Sequence, residues 1–307
     1  MRIAGALTAA IAAVVTIATT RVGAQAPLDV VHLRGGIYMI AGPGGNTTVQ
    51  IGGEGVLLVD PQPAASSGAL LAEIAKLSDK PVRYVLNTNA DDDHVGGNAV
   101  AASGKLLAGG NTRPATVYSS GGAAIWAHEN VLARLTSEGG AAAVWPTDTY
   151  FVAQKDLFVN GEPVQLLHTP SAHTDGDSLV MFRRSDAVSA GDVYTPDRYP
   201  VIDLAKGGSI NGLIDALNQL LRLTVPEFNQ QGGTLVIPGH GRLSDEADVA
   251  EYRDMVTFVR DRIADMVKKG MTLDQVKAAR PTLDYDGIYG ADKGALFVEQ
   301  VYRSLNK

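Results

Sequence analysis

The 307-residue sequence contains no cysteine, few aromatics (6%) and no excess of basic charge, with 26 Lys and Arg against 33 Asp and Glu for a formal net charge of -7. Without cysteine there are no disulfides, and any metal must be held by nitrogen and oxygen donors. An acidic balance without basic runs or interleaved basic and aromatic residues argues against a nucleic-acid partner and against an anionic membrane surface. No internal repeat and no low-complexity linker breaks the chain, and Gly139 to Ala143 is the one candidate for a soft loop. With 45% hydrophobic residues the chain can bury a sizeable core, so a single domain is expected over residues 25–307.

What is present begins at the N-terminus. Met1 and Arg2 lead into an uncharged, Ala-rich run from Ile3 to Thr19, followed by small residues around Val22, Gly23 and Ala24. That is the shape of a secretory signal peptide, short and Thr-rich for a membrane-spanning helix, and it places the mature protein in the periplasm or outside the cell. Cleavage is expected after Ala24 rather than Ala26, because Pro27 follows the latter.

Short apolar runs at Gly36–Ala41, Thr47–Ile51 and Gly55–Val59, punctuated by Gly52, Gly53 and Gly55, predict a β-meander. A helix then spans Ser67–Leu77 on the spacing of Leu70, Leu71, Ile74 and Leu77, and Val82–Leu86 is a strand. Further strands are expected at Val164–Leu167, Ser178–Phe182, Ala187–Ala190 and Thr234–Ile237, with amphipathic helices at Ile210–Leu223 and Asp245–Lys268. Strands followed by helices, twice over, predict an α/β fold of two sheets face to face with helices outside.

Chemistry concentrates after the strand that ends at Leu86, where Asn87, Thr88, Asn89, Ala90, Asp91, Asp92, Asp93 and His94 follow in order. Three consecutive carboxylates are either an acidic cap on a helix starting near Asp93 or ligands that need a cation. Other strand ends deliver His173, Asp192 and His240, in a chain with only 6 His. Loops at such ends converge on one edge of a sheet, which favours a shared site.

This pattern resembles the metallo-β-lactamase superfamily, whose hallmark is His-x-His-x-Asp-His after a strand, then a distant His, an Asp in a Gly-Asp pair and a His in a Gly-His pair. The counterparts are Asn89, Asp91, Asp93, His94, His173, Asp192 and His240, so the first two histidines of the hallmark are replaced. The resemblance implies a four-layer αββα sandwich of two mixed β-sheets flanked by helices. It also implies two metal sites: an intact second set of Asp93, His94, Asp192 and His240, and an altered first set of Asp91, His173 and Asp192. Three outcomes stay open for the first set, namely a harder, oxygen-rich site that takes manganese or iron, a vacant site beside a single ion, or a non-catalytic relic. Zinc is the expected cofactor, as one ion or two.

By the same resemblance, a water activated by the metal attacks an amide, ester, lactone or thioester, a β-lactam among the candidates, with Asp93 orienting the water and a small molecule as partner. The alternative is a binding or scaffold protein on an inactive hydrolase fold. Asp60 is expected to brace the metal loop, His168 to sit as a satisfied core histidine, His128 to pack or cap on a helix beginning near Ile125, and Lys206 and Arg198 to be solvated. His32 carries no signal.

Overall fold

The computed structural model describes residues 27–103, 122–226 and 232–306, so the expected signal peptide of residues 1–24 lies outside them. A seven-stranded sheet is built, in order, from β1 (Asp29–Arg34), β2 (Ile37–Gly42), β3 (Gly45–Ile51), β4 (Val56–Val59), β5 (Val82–Leu86), β6 (Ala124–His128) and β7 (Asp148–Tyr150). It is antiparallel through β4 and parallel from β4 to β7. A five-stranded sheet contains β8 (Gln154–Val159), β9 (Glu162–His168), β10 (Ser178–Phe182), β11 (Ala187–Gly191) and β12 (Leu235–Pro238) in the order β12-β11-β10-β9-β8, with only β11 and β12 parallel.

Alternation along the strands explains the layers. Successive side chains point to opposite faces, so a strand with apolar residues at every position must be covered twice. Ile37, Met39, Leu57, Val59 and Leu86 of the first sheet meet Val164, Leu166, Val180, Phe182 and Ile237 of the second in one inter-sheet core. Their neighbours Ile40, Val56, Leu58 and Val85 face outward onto Leu70 and Ile74 of α1 (Ala64–Leu77). On the second sheet Leu167, Leu179, Met181 and Val188 face outward onto the C-terminal helices. The predicted four-layer αββα sandwich is therefore what forms.

Beside α1 on the first sheet lie α2 (Asp92–Val95), α3 (Asn98–Ala101), whose Ala101 joins the α1 cluster, and α4 (Glu129–Ser137), whose Val131 and Leu135 pack on Ala127 of β6 with Val95. The outer layer on the second sheet is α5 (Ile210–Leu223), α6 (Glu246–Lys268), α7 (Leu273–Ala278), α8 (Asp286–Tyr289) and α9 (Ala291–Leu305). In α5, Ser209 caps the N-terminus by accepting from Gly212 N, and Ile210, Leu213, Leu217 and Leu220 are fully buried at helical spacing. Each such side chain contributes roughly 1.5–3 kcal/mol of burial. Among the described residues no helix is long and apolar enough to cross a membrane. Gly139 to Ala143 forms a turn into a short 3-10 helix, Ala142–Val144.

One expected element differs. Ala124–His128 is strand β6, not the start of a helix, because it pairs in parallel with both β5 and β7. His128 then caps α4, its Nδ1 accepting from Asn130 N at 3.3 Å, and its ring stacks on His168 with centroids 3.6 Å apart. Burial, reinforced by the neighbouring His168, pushes the His128 imidazole down to about 4. A folded value below the ordinary one of 6.5 means the unfolded chain takes up the proton first. Stability is then lost as pH falls from about 6.5 towards about 4. Urea denaturation across that window should show a shallower loss in His128→Asn, which keeps a capping acceptor but cannot titrate; equal slopes would remove this role.

Candidate metal centre

The site is assembled at one edge of both sheets by loops that leave β5, β9, β11 and β12. The loop after β5 is held from below by Asp60, which directly follows β4 with φ 57°. Its Oδ1 accepts from Thr88 N at 2.8 Å and its Oδ2 from Thr88 Oγ1 at 2.6 Å. The same Oδ2 lies 2.9 Å from His94 Nδ1, so the other ring nitrogen, Nε2, is turned to Asp192 Oδ2 at 3.1 Å. Asn87 donates to the His94 carbonyl at 2.9 Å, and its amide pairs reciprocally with that of Asn98. Asp60 is thus the brace expected from the sequence.

Asp192 stands at the centre. Gly191 precedes it with φ +51°, and a Cβ there would lie 2.5 Å from Thr88 Oγ1, so only glycine lets β11 approach the β5 loop this closely. His240 Nε2 lies 3.0 Å from Asp93 Oδ2 and 3.6 Å from Asp192 Oδ1. His173 Nε2 lies 3.1 Å from Asp91 Oδ2 and 3.8 Å from Asp192 Oδ2, with its Nδ1 held by the Val201 carbonyl at 2.9 Å. The structure therefore brings Asp91, Asp93, His94, His173, Asp192 and His240 together. Ligand atoms of Asp93, His94 and His240 lie within 4.8 Å of one another, as do those of Asp91, His173 and Asp192.

Several residues fall where the sequence did not put them. Lys206 is only partly exposed and is paired rather than free: its Nζ sits 2.6 Å from Asp91 Oδ1. Asn89 turns its amide nitrogen to Asp192 Oδ2 at 3.3 Å and its oxygen to Asp91 N at 2.9 Å. Asn46, which gave no sequence signal, is buried on β3 and donates to the carbonyls of Pro238 and Gly241, fixing the turn that carries His240. Asp177 is buried beneath His173, accepting from Thr174 N and Oγ1. Its place in the run His173-Thr174-Asp175-Gly176-Asp177 was visible, but the hydrogen bonds that bury it were not. His168 is held by the Asp175 carbonyl at 2.9 Å, as a satisfied histidine should be. Arg198 is half-buried, and His32, exposed, hydrogen-bonds the nearby Gly35 carbonyl.

The electrostatics fit a cation. Burial alone would drive the Asp192 carboxyl upward, yet His94, His173 and His240 hold it far below the usual range. Burial opposes charge on His94 as well, and Asp192 and Asp60 together outweigh it, raising the imidazole well above its ordinary value. His173 is pushed up to about 10 against its own burial, by the hydrogen bond to Asp91 first and then by Asp177 and Asp192. Burial raises Asp177 to about 7 despite the nearby His173. Asp192 Oδ1 is buried with no hydrogen-bond partner, an orphaned anionic oxygen facing His240 and the Asp93 side. A buried unpaired carboxylate oxygen is costly, and a divalent ion is the partner these nitrogen and oxygen donors suit. A surface cavity lined by Asp156, Pro163, Gln165, Arg183 and Arg184 opens at the far ends of β9 and β10 and shares no residue with this cluster.

The acidic run supplies a direct test. Asp93 faces His240, whereas its neighbour Asp92 is exposed. Removing a ligand opens the coordination sphere, while removing an exposed charge changes a field that water screens. Zinc affinity measured by competition with a chelator is expected to fall about tenfold to a hundredfold for Asp93→Ala and to stay nearly unchanged for Asp92→Ala. Equal losses would show that the acidic run is set in a different register.

Comparisons with known proteins agree with this architecture. Residues 41–240 match the family "Metallo-beta-lactamase superfamily". A linear primary-alkylsulfatase of Pseudomonas sp. (strain ATCC 19151) is 25% identical over 256 residues, covering 73% of this chain and 47% of the relative. The solved structure of a stereoselective inverting sec-alkylsulfatase from Pseudomonas sp. superposes with a TM-score of 0.69 at 16% identity, over 90% of this chain and 50% of that one. A metallo-beta-lactamase from Pontibacter korlensis gives 0.58 at 15% identity, over 75% of this chain and 99% of that one. The chain spans about half the length of the alkylsulfatases it matches. On the match over residues 41–240 and the two-sheet fold that carries the clustered strand-end residues, the chain belongs to the metallo-beta-lactamase superfamily of metallo-hydrolases.

Proposed function

We propose that this protein is an exported, metal-dependent hydrolase of small-molecule esters, with sulfate esters first among them. The observation that carries the metal dependence is the orphaned, buried Asp192 Oδ1, 3.6 Å from His240 Nε2 and lying between the Asp93–His94–His240 group and its own group with Asp91 and His173. Asp93, His94, Asp192 and His240 would hold the ion, with zinc the leading candidate for that donor set. A divalent ion there supplies Lewis acidity, polarising the electrophile and lowering the pKa of water.

The chain's own residues do the rest. Asp60 fixes the His94 ring so that Nε2, not Nδ1, faces the cluster. Asn46 holds the His240 turn against β3. Asp93, partly exposed with Oδ2 3.0 Å from His240, would orient the attacking water and take up its proton. Amides, lactones and thioesters, β-lactams included, share the same demand for an activated water; the alkylsulfatase relative, at 25% identity, moves sulfate esters to the front. Export rests on the N-terminal segment, with its uncharged run from Ile3 to Thr19 and small residues ending at Ala24.

The test is a substrate panel on zinc-loaded and manganese-loaded protein: an aryl sulfate, a long-chain alkyl sulfate, an aryl acetate, a lactone and a chromogenic β-lactam. Turnover of a sulfate ester is expected, abolished by a chelator and lowered at least about tenfold in Asp93→Ala. Turnover of another class would move the substrate while keeping the reaction. No turnover of any class by metal-loaded protein would favour a binding protein on this fold.

A further inference from the structure

Lys206 lies where the sequence departs from the superfamily pattern. Its backbone is fixed on both sides: its carbonyl accepts from Asp175 N at 2.9 Å, and its N–H lies 3.0 Å from Asp203 Oδ1 and 3.1 Å from Asp203 O. Asp203 N in turn donates to the His173 carbonyl at 2.9 Å. Gly207 has φ +82°, and a Cβ on Gly208 would collide with the His173 carbonyl, so residues 203–208 lie flush against the loop that carries His173. The lysine side chain therefore leaves a fixed platform, not a free surface loop.

Its ammonium meets Asp91 Oδ1 at 2.6 Å, while Asp91 Oδ2 faces His173 Nε2 at 3.1 Å. Both carboxylate oxygens of Asp91 are thus engaged. The Asn89 oxygen, the one atom of that side chain suited to a cation, accepts from Asp91 N, and the amide nitrogen is turned to Asp192. Replacing a neutral imidazole by the Asp91 carboxylate adds one negative charge to this half of the centre, and the Lys206 ammonium adds one positive. An ammonium at hydrogen-bond distance from a ligand oxygen also repels a dication approaching that oxygen. The other half is built differently: no Lys or Arg side chain pairs with Asp93 or Asp192 among the described residues, and Asp192 Oδ1 has no hydrogen-bond partner.

We propose that Lys206 takes the place of one metal ion, so that the protein carries a single divalent ion in the Asp93, His94, Asp192 and His240 set while the Lys206 ammonium, bound to Asp91, supplies fixed positive charge on the other side of Asp192. This rests on the reading above that the Asp93 set holds an ion. It assigns Lys206 a positioning role: it anchors Asp91 and sets metal stoichiometry.

The test counts ions. Metal-free full-length wild type, Lys206→Met, Lys206→Gln and Lys206→Arg are dialysed against excess zinc and, separately, manganese, and bound metal is measured per folded chain, with circular dichroism as the check on folding. One equivalent is expected for wild type and Lys206→Arg, and two for Lys206→Met and Lys206→Gln, the second bound at least about tenfold more weakly because Asn89 is a poor ligand. Two equivalents in wild type, with both ions located by anomalous scattering, would overturn the proposal without touching the hydrolase reading, and that measurement stands even if a variant does not fold. One equivalent in wild type and in both folded Met and Gln variants would overturn it as well. No ion in wild type would remove this proposal and the metal-dependent reading together.

Discussion

The Asp192 carboxylate is the constraint on which the centre depends. It is the residue that both halves of the cluster share, with His94, His173 and His240 arriving from three different strand ends at 3.1, 3.8 and 3.6 Å. Taking a carboxylate out of water costs several kcal/mol unless opposite charge and hydrogen bonds offset it. The loops after β5, β9 and β12 must therefore close on the end of β11 in one arrangement, and Gly191 makes that closure sterically feasible. The sheets supply the rigidity: the strands that end at the site are packed on both faces by buried Val, Leu and Ile.

Around that centre the outer contacts decide what each ligand can do. Asp60 sits in a left-handed backbone conformation uncommon for a residue other than glycine, a strain of order 1–3 kcal/mol that persists because its carboxylate is held by Thr88 and His94. The strain sits one step behind the chemistry, where it fixes the orientation of His94. Val201 does the same for His173, with the Nδ1 contact at 2.9 Å leaving Nε2 for the cluster. Orientation of histidine rings by their second nitrogen is what lets separate loops aim at a common point.

Much of this was legible in the sequence, and the reason is physical. Doubly buried strands such as Val56–Val59 and Ser178–Phe182 read as short apolar runs, and the polar residues that end them mark the edge where a site gathers. α5 was bounded correctly because Ser209 caps it and its apolar spacing is regular. β6 was misread because Ala124-Ile125-Trp126-Ala127-His128 continues without a break into the residues of α4, and only pairing with β5 and β7, distant in sequence, makes it a strand. Lys206 and Asn46 were invisible for the same reason. Lys206 is 115 residues from Asp91, and Asn46 is 192 from Pro238, so no local pattern records either contact.

The altered motif can be read as decay or as adaptation, and the two readings ask different things of the geometry. Decay relaxes what no longer matters: with no ion to bind, the partly buried carboxylates of Asp91, Asp93 and Asp192 are a destabilising concentration of like charge that drift would dilute. Here Asp93 and Asp192 remain, and the supports around them remain as well. Asp60, Thr88 and Asn87 still hold the loop that presents His94, Asn46 still pins the turn before His240, and the two positions that changed are tied into the network, Asn89 to Asp192 and Asp91 to Lys206. A loss of function at residues 89 and 91 would not by itself produce a lysine on a fixed platform aimed at the new carboxylate. The substitutions and their counter-charge form one connected arrangement, which is what the proposed single-ion centre requires.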